Sequence, residues 1–198
     1  MTGSHESLEH AEHAEHASHG GNKKIALLIA VIALFLAFSE TLGKSAQTEA
    51  LDLNIKASDT WNFFQAKTIR QATIRTAAEL LAAQAAGTTD EAARTALAKQ
   101  VDAWKGTVAR YESDPKEKDG RKELREQATH FEHERDTAFA RYHQYEIASA
   151  AFQIGIVLAS ATIITGMGAL AVFAGGLTAV GLAFMAIGLW VPHAVHLM

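Results

Sequence analysis

Cysteine is absent from all 198 residues, which excludes disulfides, a thiol nucleophile and Cys-ligated zinc. Its absence leaves the redox compartment open. Proline occurs only at positions 115 and 192, so little in the chain interrupts helix. Charge is missing from two long stretches: no Asp, Glu, Lys or Arg lies between Lys24 and Glu40, and none follows Glu146. Basic clusters are missing too. Residues 40–146 hold 18 acidic and 16 basic side chains, interspersed along the stretch. Without a basic face, nucleic acid is not an expected partner. That charged stretch also lacks a nucleophile–base set, a phosphate loop and a spaced metal-ligand motif, so no enzymatic activity is expected.

What is present divides the chain by polarity. The overall mean hydropathy is close to zero, but it averages a charged centre with almost uncharged flanks. Residues 25–43 form one apolar run. Gly175-Gly176 splits the uncharged remainder into 148–173 and 177–195, and each run is about long enough to cross a bilayer core of roughly 30 Å. The expected fold class is therefore all-α: an integral membrane protein with three transmembrane helices. Residues 44–147 form an extramembrane, coiled-coil-like helical stalk between the first and second spans. The polar head, residues 1–24, is long and acidic, and Ser39-Glu40-Thr41 stands where a cleavage pattern would be wanted, so 25–43 reads as an uncleaved anchor. Lys23 and Lys24 favour a cytoplasmic N-terminus. Lys44, Lys56, Arg135 and Arg141 argue the reverse but count for less in a long loop.

Helix-forming residues dominate the stalk. Thr88-Thr89-Asp90-Glu91 after Gly87 reads as a capping box, and Asp114-Pro115-Lys116-Glu117 as a second start with Pro at the first helical position. Three helices of about 40, 23 and 32 residues follow. Seams stepping by four and three run through Leu97, Val101, Trp104, Val108 and Tyr111, and through Leu124, Ala128, Phe131, Ala138, Tyr142 and Tyr145, with Arg135 interrupting. The first helix offers a weaker seam, Ala66, Ile69, Thr73, Thr76, Leu80 and Ala83. Asp52–Lys56, Asp90–Arg94, Glu117–Arg121 and Lys122–Glu126 have the spacing of helical ion pairs. Three helices running up, down and up would end far from the bilayer. Either Gly87 is a bend in one rising arm or one helix lies sideways, and Trp61, Phe63 and Phe64 suit an interfacial role. The first and third helices are expected to continue directly into their spans.

Candidate sites are few. Ala151, Gly155 and Ala159 on the second span, and Gly181 and Gly188 on the third, suit close helix packing within or between subunits. Gln153 is costly to leave unpaired in lipid. Glu40, with Lys44 one turn later, is an ionisable group at membrane depth, a position that singles it out for ion or proton handling. Glu9-His10, Glu12-His13 and Glu15-His16, then His19, set imidazoles beside carboxylates at a spacing that suits zinc, nickel or copper; a plain polar head accounts for them equally. No other cofactor is implied. His143, Glu146 and His193 form a second metal-site candidate on the stalk side.

Several longer stretches carry a family resemblance. They are His10-Ala-Glu-His-Ala-Glu-His16, Asn22-Lys-Lys-Ile-Ala-Leu-Leu-Ile29, Ser39-Glu-Thr-Leu-Gly-Lys-Ser-Ala-Gln47, Tyr111-Glu-Ser-Asp-Pro115, Gly120-Arg-Lys-Glu-Leu124, Ala148-Ser-Ala-Ala-Phe-Gln153 and Ser160-Ala-Thr-Ile-Ile-Thr-Gly166. With them the chain resembles, end to end, an uncharacterised bacterial three-span membrane-protein family catalogued as a domain of unknown function, number 4337. The resemblance implies membrane architecture in a bacterial inner membrane and brings no activity, cofactor or catalytic residue. The expected partners are the lipid bilayer, further copies of the chain in a homo-oligomer, and another membrane protein complex. Two functions fit: a non-enzymatic oligomeric scaffold or accessory protein, or a homo-oligomeric ion channel or metal-responsive transporter using Glu40 and the histidine tail.

Overall fold

The computed structural model describes the backbone of residues 3–194 and the side chains of residues 23–194. Among them the chain is all-α: α1 (Gly3–Gly87), α2 (Glu91–Glu112), α3 (Arg121–Thr165) and α4 (Gly168–Trp190). Helices α1, α3 and α4 each contain a stretch long and apolar enough to cross a membrane. The helices fall into two compact units. An apolar unit comprises Met1–Glu49 with Thr137–Met198, and a charged unit comprises Ala50–Asp136.

In the apolar unit α3 runs antiparallel to α1 and α4 returns along α3. Ser39 is buried on α1 and its hydroxyl donates to the Tyr145 carbonyl at 2.9 Å. Ile32, Ala148 and Phe152 form the core, with Phe35 stacked on Phe152 at 6.1 Å. The turn between α3 and α4 lies at Gly166-Met167, not at Gly175-Gly176, which are interior to α4. Gly166 takes φ +72, a left-handed conformation that ends a helix at little cost only when the residue lacks a Cβ. The glycine doublet lies within the helical run of α4.

The charged unit resolves the parity problem differently from either sequence-based alternative. The α1 segment from Ala50 to Gly87 rises about 57 Å. Helix α2 and the α3 segment up to Asp136, about 33 and 24 Å long, both run antiparallel to it, one after the other. Gln71 meets Val108 and Glu112, Trp61 meets Glu132, and Arg135 Nη1 reaches Asn54 Oδ1 at 3.3 Å. The two chain ends of the unit therefore lie side by side. Trp61 and Phe64 are occupied in these interhelix contacts: Trp61 Nε1 donates to Glu132 at 2.9 Å, and Phe64 lies beneath the Arg121 guanidinium, whereas Phe63 is 42% exposed and meets Lys67 of its own helix.

Both later seams point inward, but the one expected on α1 does not. Ile69 and Leu80 are 67% and 71% exposed. The buried row of α1 in this unit is Ala50, Leu53, Ala57, Lys67, Gln71, Ala78 and Ala85, the half-buried Trp61, Phe64, Ile74 and Leu81 completing its steps of three and four. Two polar residues at core positions disguise it. At the second break Pro115 does open a helical turn, with Asp114 Oδ1 accepting from the Glu117 amide at 3.2 Å. That turn stops at Lys118, whose φ of 57 is left-handed, and α3 starts only at Arg121.

Candidate functional site

Asp90 caps α2, accepting from the Ala92 amide at 3.0 Å, so Arg94 pairs with Glu91 rather than with Asp90. Asp52–Lys56 forms at 2.7 Å. Arg121, at the start of α3, turns away from Glu117 toward α1 and α2, and a polar node forms there. Its Nη1 donates to Gln71 Oε1 at 2.6 Å and to Glu112 at 2.8 Å, while Nε donates to Thr68 Oγ1 at 2.9 Å. Gln71 Nε2 in turn donates to Glu112 at 2.9 Å and to the Val108 carbonyl at 3.1 Å. One turn away the buried Lys67 reaches Asp119 at 2.7 Å between the rings of Phe63 and Tyr111. The hydrogen bond from Gln71, helped by Arg121, holds the Glu112 carboxyl below its ordinary range. Apart from Arg121–Glu112, nine positions apart, the node joins residues 37 to 53 positions apart, so no local motif announces it.

Beside the node an open groove of about 650 Å³ lies between α1 and α2. Ala78, Ala82, Val108 and Ala109 floor it, and Arg75, Glu79, Lys105 and Glu112 rim it. Alanine on both helices leaves this volume unfilled, and the balanced rim selects neither anions nor cations.

In the apolar unit Glu40 and Gln153 come together, Gln153 Nε2 donating to Glu40 Oε1 at 3.3 Å with both side chains exposed. Glu40 takes this bond from Gln153 and not from Lys44, which is exposed one turn on. Ala151, Gly155, Ala159, Gly181 and Gly188 are all buried inside this one chain. Gly155 packs toward Ala174 and Thr178; a methyl at Gly181 would come within 2.6 Å of the Phe152 ring, and one at Gly188 within 2.8 Å of Tyr145.

The side chains of His10, His13, His16 and His19 lie outside the described residues. Among those described, no three His, Asp or Glu side chains are placed to hold a metal ion. The His143, Glu146 and His193 set is thereby corrected: His143 sits 3.7 Å from Glu146, whereas His193 lies 3.1 Å from the Thr137 hydroxyl.

No curated protein and no solved structure matches the chain. A family model does, over residues 21–191. On that match, which takes in both units but begins after the histidine repeat, the chain belongs to the family described as Domain of unknown function (DUF4337).

Proposed function

We propose that the protein is a non-enzymatic scaffold or accessory protein of a bacterial inner membrane. It crosses the bilayer three times with a cytoplasmic N-terminus, keeps its charged unit outside the lipid as a stalk, and acts as a homo-oligomer or beside another membrane protein complex. The observation that carries this reading is the use made of charge in the charged unit. Lys67, Glu112, Asp119 and Arg121 are engaged with one another and with Gln71 across three helices, a construction that fixes register rather than presenting reactive groups to a substrate. Native mass spectrometry of the lipid-nanodisc complex tests it, with and without zinc. A fixed multimer, or a complex with a second protein, supports the scaffold; a bare monomer removes it. Stoichiometric zinc that disappears when His10, His13, His16 and His19 are replaced would make the tail a metal site.

The Glu40–Gln153 pair favours a second reading, a homo-oligomeric ion channel or metal-responsive transporter. Ion flux in liposomes that falls in Glu40→Gln and Gln153→Leu would support it, and no flux in the unmodified protein would sink it.

A further inference from the structure

The Glu40–Gln153 pair has hydrogen-bonding capacity that its own chain leaves unused. With one bond made between them, Glu40 keeps a carboxyl oxygen, and Gln153 keeps its carbonyl oxygen and a second N–H. Helix α4 gives the depth. Phe152, next to Gln153, packs on Gly181, nine residues or about 14 Å short of Trp190. Allowing for a side chain that leans back toward the start of α3, the pair stands on the order of 10 Å inside the apolar length of α4. Lipid tails offer neither donor nor acceptor there.

The small-residue faces of the second and third apolar runs cannot supply the missing partner, being buried within the chain. What α1 still presents beside Glu40 is Ala26, Ala30, Ala33 and Ala37, in steps of four and three and all exposed, a surface that lets another helix come close. We propose that this face is a contact between two copies of the chain lying parallel in one membrane, in which Gln153 of each copy donates its second N–H to the Glu40 of the other. The occupant is a second copy because the pair is self-complementary: donor and acceptor lie side by side, and a two-fold axis sets each against its counterpart. This inference rests on the reading that the apolar unit is membrane-embedded and self-associates.

The chain has no cysteine, so single cysteines report contacts without background. Full-length Ala37→Cys and, on α4, Val172→Cys are placed in liposomes and oxidised with copper phenanthroline. Ala37→Cys is expected to give disulfide-linked dimer at least about tenfold more than Val172→Cys, whose position is 75% exposed but away from the pair. Adding Gln153→Leu should lower the Ala37→Cys yield about threefold or more, the size expected of interhelical hydrogen bonds in lipid. Equal yields at the two positions, or no response to Gln153→Leu, overturn the contact. A multimeric native mass without an Ala37→Cys dimer overturns this face and leaves self-association standing. A monomeric native mass overturns both.

Discussion

The apolar unit and the charged unit join antiparallel helices by opposite means. In the first, closeness does the work: Gly181 and Gly188 admit the rings of Phe152 and Tyr145 onto the backbone of α4, and Ser39 bonds a main-chain carbonyl directly. In the second, reach does the work: Gln71 and Arg121 extend across to neighbouring helices, and Lys67 to the α2–α3 connection, and fasten them by their polar ends. The difference follows from what surrounds each unit in the proposed arrangement. Lipid gives no hydrophobic gain for helix association, so tight van der Waals contact must supply it. In water, burial of Leu53, Val101 and Leu124 supplies the energy, and the polar node fixes which residues face which.

The largest effect should come from blocking closeness. Gly181→Val forces a branched side chain into the Phe152 ring and is expected to destabilise the protein by about 3 kcal/mol, whereas Gly175→Val, with nothing within 4 Å of its Cβ, should change little. Thermal unfolding of the detergent-solubilised protein separates the two. Next, Gly120→Ala sets a methyl within 2.7 Å of Ser113 Cα, so a loss of about 2 kcal/mol is expected. Gly106→Ala, in open space in α2, should gain up to about 1 kcal/mol. Cutting the reach of the charged unit is milder. Arg121→Leu leaves the buried Gln71 carbonyl without its donor at about 1–2 kcal/mol, and Arg121→Lys should recover only part, since one ammonium cannot replace the guanidinium fork.

The smallest effect is acid sensitivity. Glu112 binds its proton less readily when folded than its ordinary value of 4.5 implies. Its contribution is therefore complete above pH 4.5 and lost as pH falls below that toward the lowered folded value. Its side chain is 58% exposed, so solvent screens the effect. A shallow fall in melting temperature below pH 4.5, flattened in Glu112→Gln, is the expected observation.

Much of the fold was legible because its signals are local. Asp90 marked the start of α2, and the inward rows of α2 and α3 could be read from apolar spacing alone. The row on α1 could not, since Lys67 and Gln71 occupy core positions and only their partners, Asp119 and Arg121, explain why. Gly175-Gly176 misled because a glycine doublet breaks helices in water, while the actual turn depends on a single residue, Gly166, taking a positive φ. Glu40 and Gln153 were each conspicuous as polar residues in apolar surroundings. Their pairing across 113 positions is a product of helix register that neither sequence segment contains.

Helix α2 together with the first turns of α3 measures the same length as the α1 segment they accompany. That equality acts as a ruler written into the gene. A heptad inserted between Ala50 and Gly87 would leave bare helix at the tip unless another entered α2 or early α3, so chains of this family that differ in length here should differ by heptads gained or lost in pairs, one on each limb. A relative with an unmatched insertion would have to fill the gap with some other element.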